Sequence, residues 1–478
     1  MAGAELWENS GPTRTVNTNL KRLRTSAWWR LLVVLVAMLA LAGCGRPLSP
    51  PGESGELVML TRQSMATYYL GVDRKPTGFE YDLARLFAER QGWRLRPNPA
   101  VTLGRLFAKL ENGEGHLAAA GLGITPARQE KFLFGPVYGV ERELVVCGPG
   151  VTVPTDKAGL AGLRLEVVAG SSHLERLHEL RGEVPGLQWR EVRAASEEEL
   201  LERVADGVTD CAVADSVSFD VAWNFLPGLR VALELGTPRE IAWALPKTAD
   251  PALIEALKQF FDEIHRNGVL DDLRERYFGH VRHLAEADVL GLLERRERLR
   301  ALKPHFIAAQ DVTGLDWRFL AALAYQESQW NPAAVSPTGV RGIMMLTVQT
   351  ADHLGVRNRL DPEESILGGA RYMIELKEAL PAGVGEPDRT WIALAAYNIG
   401  PSHLEDARRL ARRLRKNPDS WRDMKQVLPL IARPQYAKWL RNGYARGGEA
   451  RTLVENVRIY YDILLRYESA HSFSLGRR

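Results

Sequence analysis

Cysteine is scarce in this chain, with only Cys44, Cys147 and Cys211 among 478 residues. Three cysteines cannot build a disulfide framework, and none of them has the spacing or the nearby histidines of a zinc site. We therefore expect neither a structural metal ion nor a cofactor. Cys147 and Cys211 either form a disulfide bond in an exported protein or stay reduced and buried, and the sequence leaves both options open.

An excess of charge of either sign is also missing, because 62 Lys and Arg residues nearly balance 59 Asp and Glu residues and leave a net charge of +3. Nucleic-acid-binding domains carry a basic surface, so we expect no nucleic acid partner. Hydrophobic residues make up 45% of the chain, and its length exceeds the size that one hydrophobic core serves. We expect at least two globular domains.

The apolar run near the N-terminus, at 31–43, is too short to span a bilayer comfortably. Four cations precede it: Lys21, Arg22, Arg24 and Arg30. A basic stretch, a short apolar run and small residues at its end are typical of a secretory signal peptide. We therefore predict an exported protein.

The apolar run ends in LAGC at 41–44 and leads into a Pro-, Gly- and Ser-rich stretch with the composition of a flexible tether. This arrangement resembles the lipobox of bacterial lipoproteins. The resemblance implies that Cys44 is lipidated and that Gly45 behind it favours the periplasmic face of the outer membrane. We expect a signal peptide at 1–43 and a lipidated tether at 44–54; an uncleaved signal anchor is the alternative.

Residues 55–280 alternate short apolar runs with helical ones, as α/β units do. ELVMLTR at 56–62 and ELVVCG at 143–148 predict strands, whereas the stretch at 251–279 predicts helix. Two sets of such units follow each other along the chain. We predict an α/β domain of two lobes, with the chain crossing between them.

Five segments of this region resemble the type 3 extracellular solute-binding domain, the amino-acid-binding fold of periplasmic transport proteins. They are GFEYDLA (78–84), GITPARQEKFLFGPVY (123–138), AGSS (169–172), DCAVADS (210–216) and LPK (245–247). The resemblance implies a two-lobed periplasmic-binding-protein-like fold. It also implies that a small ligand, an amino acid or a muropeptide, binds in this domain.

The resemblance assigns ligand contacts to four residues. Arg128 would bind the ligand's α-carboxylate, Ser171 and Ser172 would add donors at a helix start, and Asp215 would bind the α-ammonium. A planar guanidinium pairs well with a carboxylate, and a helix N-terminus favours an anion. Gly123 departs from the family, which often has a hydroxyl residue there. The alternative is that Arg128 and Asp215 are solvated surface charges or an inter-lobe pair without a ligand.

Residues 281–303 are rich in charge, and we predict a helical connector there. From residue 304 to 478 the apolar residues recur with helical spacing, so the second domain is predicted to be mostly α. Within it, LAYQESQWNP at 323–332 places Glu327 on the apolar side of a helix. Asp316 is the expected N-cap of that helix, and Pro332 requires it to end at 326–330.

This placement predicts a raised pKa for Glu327, because burial and the negative end of the helix dipole both disfavour the charged form. A carboxyl that stays protonated near neutrality is suited to general acid catalysis. The alternative is a buried Glu327 neutralised by Arg318 or Arg341. Burial geometry alone favours the neutralised, structural Glu327.

Two further segments resemble lytic transglycosylases with a goose-lysozyme-like fold: AYQESQWNPAAVSPTGVRGIMMLT (324–347) and ALAAYNIG (393–400). The resemblance implies that Glu327 protonates the glycosidic oxygen between N-acetylmuramic acid and N-acetylglucosamine. Glu327 would then take the proton of the C6 hydroxyl, so that a 1,6-anhydro end forms. Six residues would line the cleft or orient the glycan: Ser328, Ser336, Met345, Tyr397, Asn398 and Tyr461.

A second catalytic carboxylate is not evident in the matched segments. The next acids along the chain are Asp352, Asp361, Glu363 and Glu364, and their positions are typical of surface or capping residues. Ordinary glycosidases need two carboxyls about 5 to 10 Å apart, so a one-acid mechanism fits better. A hydrolytic muramidase and a non-catalytic, ligand-sensing glycan-binding lipoprotein remain as alternatives. The fusion also suggests that a ligand of the first domain modulates the second.

Overall fold

The computed structural model describes residues 48–71, 74–193, 196–281, 284 and 286–471. The predicted signal peptide and Cys44 lie outside these residues. Within the described part of the chain, every helix is too short or too polar to cross a bilayer.

The first lobe is built on a five-stranded sheet in the order β4-β1-β5-β14-β6. Its strands are β1 (Glu56–Arg62), β4 (Arg94–Ala100), β5 (Leu117–Ala118), β6 (Phe132–Phe134) and β14 (Ala244–Pro246). The predicted strand at 56–62 is confirmed as β1, which pairs in parallel with β4 and β5. The strand β4 was not predicted, because it contains Pro97 and Pro99. It lies at the sheet edge, where a missing N–H is tolerated.

The second lobe has its own five-stranded sheet, in the order β10-β9-β11-β8-β12. Its strands are β8 (Glu143–Cys147), β9 (Leu165–Val168), β10 (Arg190–Val192), β11 (Cys211–Asp215) and β12 (Arg230–Glu234). The antiparallel pairing of β8 with β11 sets Cys147 directly opposite Cys211, and the two form a disulfide bond. This pairing decides between the two options that the sequence left open.

A short antiparallel pair carries the chain between the lobes. The strand β7 (Gly139–Glu141) leads from the first lobe into the second, and β13 (Arg239–Ile241) leads back. A separate antiparallel pair, β2 (Tyr69–Leu70) with β3 (Pro76–Thr77), comes between β1 and β4 in the chain. Residues at the ends of β7 and β13 therefore lie where the two lobes meet.

Helices cover the faces of the two sheets. They are α1 (Pro51–Ser54), α2 (Phe79–Gln91), α3 (Leu103–Glu111), α4 (Pro126–Lys131), α5 (Ser172–Leu180), α6 (Glu197–Ala205), α7 (Ser216–Trp223), α8 (Pro251–Asn267) and α9 (Val269–Phe278). Leu83 and Phe87 of α2 pack with Leu257 and Phe261 of α8 in one apolar core. This domain is the two-lobed α/β, periplasmic-binding-protein-like fold that the sequence predicts.

The remainder of the described chain is helical. Its helices are α10 (Glu286–Glu294), α11 (Arg296–Thr313), α12 (Trp317–Ser328), α13 (Val348–Leu354), α14 (Pro362–Glu378), α15 (Asp388–Ile399), α16 (Pro401–Arg413), α17 (Trp421–Val427) and α18 (Gly447–Tyr467), with short 3₁₀ turns at Ala158–Leu160, Leu428–Ala432 and Pro434–Trp439. The segment predicted as connector lies in α10 and the start of α11. The helix α12 is central, because Leu320, Leu323 and Ala324 are fully buried in the core of this domain.

The long helix α18 contacts both lobes of the first domain. Arg458 on α18 pairs with Glu275 of α9 at 2.9 Å. Near its other end, Arg466 pairs with Glu202 of α6. Arg422 and Lys425 of α17 add ion pairs to Asp271, Asp272 and Glu275 of α9, so ion pairs from two helices join the two domains.

Candidate functional site

Glu327 lies in the last turn of α12. Asp316 caps the start of this helix by accepting a hydrogen bond from the backbone N–H of Arg318, as predicted. The helix ends at Ser328, within the predicted range, and Gln329 and Trp330 both adopt the left-handed conformation with φ of 52° and 57°. The buried Trp330 indole donates to the backbone carbonyl of Ala321 at 2.8 Å. Its side chain thereby holds the turn against α12.

Burial alone raises the pKa of Glu327, to about 8. No charged side chain among the described residues contributes to that shift, and no ion pair to Glu327 is present in that part of the chain. Arg318 pairs instead with Asp316 at 2.7 Å, at the far end of the helix. Arg341 is exposed and does not contribute to the pKa shift of Glu327. The alternative in which Arg318 or Arg341 neutralises Glu327 is therefore not supported, and the raised pKa keeps the carboxyl mostly protonated at neutral pH.

Two predicted residues hold the backbone at 343–344 beside the end of α12. The hydroxyl of Ser328 donates to the carbonyl of Ile343 at 2.9 Å and also lies 3.0 Å from the carbonyl of Ala324 in its own helix. The hydroxyl of Tyr397, on α15, donates to the carbonyl of Met344 at 2.7 Å. Burial raises the pKa of Tyr397, and the charge of Glu327 raises it further. Tyr397 therefore lies close to the acid and stays neutral.

Three other predicted residues lie at the edges of this region. Met345 follows the held segment in a left-handed conformation with φ of 49°. Ser336 organises a turn by accepting hydrogen bonds from the N–H groups of Thr338 and Val340, both at 3.2 Å. Asn398 follows Tyr397 on α15 and is exposed.

Tyr461 is not brought to Glu327. Its ring packs edge-on against Phe319, with centroids 5.9 Å apart, and Phe319 lies two turns, or about 12 Å, before Glu327 on α12. The preceding residue Tyr460 contacts Tyr325 instead, at 4.8 Å. A shift of one residue turns a helical side chain by about 100°, and the sequence likeness did not resolve which tyrosine contacts the end of α12 that carries Glu327. The spacing from Asn456, which donates to Gln326 at 3.0 Å, is the signal that favours Tyr460.

The four acids that follow Glu327 along the chain lie at helix caps, in turns or at the surface. Asp361 caps α14, and Glu364 accepts the N–H groups of Arg357 and Asn358. Asp352 and Glu363 are exposed. The prediction that these four residues are surface or capping acids is confirmed.

In the first domain, the four predicted ligand residues meet in one cavity. Its volume is about 590 Å³, and its lining includes Arg128, Ser171, Ser172 and Asp215. Ser171 caps α5 and Asp215 caps α7. The sequence placed these residues in separate segments, and the fold brings them together.

Arg128 is only 7% exposed, which excludes a solvated surface charge. Its guanidinium donates to the carbonyls of Gly123 at 2.8 Å and Gly170 at 3.2 Å. It also lies 3.6 Å from Glu175 and stacks over Phe107. Arg128 is therefore held between the two lobes, with its plane fixed.

The departure at Gly123 has a steric reason. A Cβ atom added there would lie 2.6 Å from Cδ of Arg239 and 3.0 Å from a carboxylate oxygen of Glu141. Both distances are shorter than a relaxed contact. Arg239 and Glu141 thus occupy the space that a hydroxyl side chain would need.

Sequence reasoning missed an acidic group in this cavity. Glu197 pairs with Arg62 at 2.8 Å, and although burial opposes ionisation, Arg62 and His173 outweigh it and lower the pKa of Glu197. Burial, and then Asp215, raise the pKa of Glu141 to about 8. These residues come from distant segments with no shared motif, so no local signal joins them.

Comparisons with known proteins agree with both halves of the chain. Residues 304–420 match the family model for the transglycosylase SLT domain, and residues 57–280 match the model for bacterial extracellular solute-binding proteins, family 3. Among solved structures, a mutant of ArgBP from T. maritima is 19% identical with a TM-score of 0.43, covering 48% of this chain and 97% of its own. An ancestral arginine-binding protein is 20% identical with a TM-score of 0.43, covering 47% of this chain and 98% of its own.

Relatives match along nearly the whole length. The membrane-bound lytic murein transglycosylase F of Thiobacillus denitrificans is 47% identical over 446 residues, which are 93% of this chain and 95% of the relative. The protein of the same name from Nitrosospira multiformis is 43% identical over 447 residues, 91% of this chain and 93% of the relative. On the strength of these matches and of the two domains described above, the chain belongs to the family of membrane-bound lytic murein transglycosylases F.

Proposed function

We propose that the chain is a peptidoglycan lytic transglycosylase that cleaves the β-1,4 bond between N-acetylmuramic acid and N-acetylglucosamine without water. The observation that carries the proposal is the solitary, protonated Glu327 at the end of α12, whose pKa is raised to about 8 by burial alone. The names of the relatives and the match to the transglycosylase SLT domain support the same substrate.

Glu327 first acts as general acid. It gives its proton to the glycosidic oxygen as the bond from that oxygen to C1 of N-acetylmuramic acid breaks. The cation that develops at C1 is stabilised by the substrate's own N-acetyl group. The carboxylate of Glu327 then accepts the proton of the C6 hydroxyl, and O6 bonds to C1. The proton is recovered, and the product carries a 1,6-anhydro ring.

The surroundings of Glu327 suit this double role. Ser328 and Tyr397 donate hydrogen bonds to the backbone carbonyls at 343–344. These bonds fix the backbone beside the acid. Met345, Ser336 and Asn398 are partly or fully exposed at its edges, and we assign them to glycan contact. Tyr461 has no such place, and we assign it to packing of α18 on α12.

Product analysis tests the proposal. Intact peptidoglycan digested with the protein should yield fragments with 1,6-anhydro ends by mass spectrometry. Reducing ends in their place would establish the hydrolytic muramidase instead. Absence of fragments with wild type would establish the non-catalytic alternative, whereas equal release by wild type and Glu327→Gln would show that Glu327 is not the acid. Glu363→Gln, which alters an exposed acid of the same domain, is the matched control.

Attachment to the outer membrane through lipidated Cys44 is part of the proposal. The lipobox-like LAGC segment and the membrane-bound relatives support it. Cells that express Cys44→Ala should release the protein from the membrane fraction into the soluble periplasm. Retention of the variant in the membrane fraction would favour the uncleaved signal anchor.

Modulation by a ligand of the first domain is a second element, favoured by the position of α18. This helix pairs with one lobe through Arg458 and with the other through Arg466, and it touches the turn before Glu327 through Tyr460 and Tyr325. Closure of the lobes on an amino acid or a muropeptide would therefore act on α12. Equal digestion rates with and without saturating ligand would contradict it.

A further inference from the structure

The cavity between the lobes contains a group of side chains suited to a metal ion. One donor atom each from His173, Glu197 and Asp215 lies within 4.8 Å of the others. They come from the starts of three helices of the second lobe: His173 from α5, Glu197 from α6, and Asp215 from the cap of α7. His173 is 3% exposed and Glu197 is 9% exposed. Fixed helices thus hold the three donors.

A fourth carboxylate lines the same cavity and lacks a partner. Glu141 is only 6% exposed, and within the described residues no hydrogen bond or ion pair to its carboxylate is present. It is the last residue of β7, where the chain crosses between the lobes. A buried unpaired carboxylate is costly unless a positive charge compensates it.

The charges in the cavity do not balance among the described side chains. Arg62 is engaged by Glu197. Arg176 and Arg239 are both engaged by Glu143. Arg128 and Arg274, which also line the cavity, are engaged by Glu175 and Asp271. Glu141 and Asp215 are left without a Lys or Arg at ion-pair distance in that part of the chain. The cavity therefore holds acidic side chains that no Lys or Arg compensates, as a cation site requires.

The imidazole of His173 is oriented as a metal ligand would be. Its Nδ1 lies 3.3 Å from a carboxylate oxygen of Glu143, which Arg176 holds in turn at 2.9 Å. A carboxylate behind a ligating imidazole is a recurrent arrangement that fixes the ring and its tautomer. It leaves the lone pair of Nε2 available.

We propose that the cavity between the lobes binds one divalent metal ion through His173, Glu197 and Asp215, with Glu141 balancing its charge. One nitrogen and several carboxylate oxygens suit Zn²⁺ or Mn²⁺ better than Mg²⁺ or Ca²⁺. Because Glu141 belongs to the crossing strand and the three ligands to the second lobe, the ion joins the hinge to that lobe. The proposal is independent of the reaction assigned to Glu327.

Equilibrium dialysis of the full chain, freed of metal by a chelator, tests it with Zn²⁺, Mn²⁺ and Ca²⁺ in parallel. We expect one Zn²⁺ per chain, weaker binding of Mn²⁺, and no stoichiometric Ca²⁺. His173→Ala should weaken Zn²⁺ binding at least tenfold. His178→Ala, at an exposed position on the same helix α5, should bind like wild type.

A second variant covers the case in which His173→Ala fails to fold. Asp215→Asn keeps an oxygen that can cap α7 and removes the charge, and we expect a similar loss of Zn²⁺ affinity. Absence of stoichiometric Zn²⁺, or equal binding by Asp215→Asn and wild type, would overturn the proposal. A parallel measurement with methylammonium at equal ionic strength distinguishes a metal site from a site for an organic amine. Binding of the amine without binding of Zn²⁺ would make the cluster an amine site and likewise overturn the proposal.

Discussion

Glu327 and Glu141 are buried carboxyl groups in different domains, and the pKa of each is raised to about 8. Their surroundings differ. Burial alone acts on Glu327, whereas burial, Asp215 and Glu197 act together on Glu141. A solitary acid can hand over a proton and take one back, since no neighbour competes for it. An acid in a cluster adds to the negative charge of its neighbours, and a bound cation can neutralise that charge. A raised pKa by itself thus does not identify a catalytic group.

Replacement of Glu327 should have the largest effect. Glu327→Gln removes the proton donor and keeps the shape, so we expect a loss of activity of about a thousandfold, within the range typical of general acid catalysis. Turnover of peptidoglycan, measured as anhydro products per unit time, reports it. An unchanged melting temperature would show that the variant is folded. A loss under tenfold would break the distinction between the two carboxyls, because Glu327 would not be the acid.

The pH dependence of activity should follow Glu327 next. A general acid works in its protonated form, and the protonated fraction falls above a pKa of about 8. We therefore expect kcat/KM to fall about tenfold per pH unit above pH 8. Because no neighbouring charge sets this pKa, the falling part of the pH–activity profile should lie at the same pH in low and high salt. A profile that shifts with salt would mean that neighbouring charges act on Glu327, as they do on Glu141.

Loss of the Tyr397 hydroxyl should have a smaller effect. Tyr397→Phe leaves the carbonyl of Met344 without its donor, which costs about 1 to 3 kcal/mol and loosens the segment beside the acid. We expect about a tenfold lower kcat with little change in KM. Tyr372→Phe is the control, because Tyr372 packs against Tyr397 with centroids 5.4 Å apart. An equal effect of both variants would mean that the loss of either hydroxyl in this ring pair lowers kcat, and that the hydrogen bond to Met344 has no special role.

The last prediction concerns stability. Unfolded Glu327 releases its proton near pH 4.3, whereas the folded protein keeps it to about pH 8. Between these values the folded state binds more protons, so its free energy of unfolding falls by up to about 1.4 kcal/mol per pH unit as pH rises. This contribution is complete below the unfolded pKa and is lost by the folded pKa. Urea titrations of wild type and Glu327→Gln from pH 4 to pH 9 should show the difference, and parallel curves would contradict it.

Much of the catalytic site was predictable because its signals are local. The end of α12 follows from Pro332, the cap from Asp316, and the inward face from the spacing of Leu320, Leu323 and Ala324. Tyr461 shows the limit of such reasoning, since one helical position decides whether a tyrosine contacts Phe319 near the start of α12 or Tyr325 near Glu327. The disulfide between Cys147 and Cys211 was undecided for the same reason, because strand register depends on pairing across 64 residues.

The sequence by itself indicated the two domains, the lipobox-like segment outside the described residues, the acid at 327 and the four residues predicted to bind a ligand in the first domain. These rest on contiguous motifs and on periodicity, which read the same in any fold. Only the tertiary structure decided that Arg128 is fixed between carbonyls of both lobes, that Gly123 makes room for Arg239 and Glu141, and that His173, Glu197 and Asp215 meet. Such contacts depend on how separate elements pack, and the buried charges they create are absent from the chain until it folds.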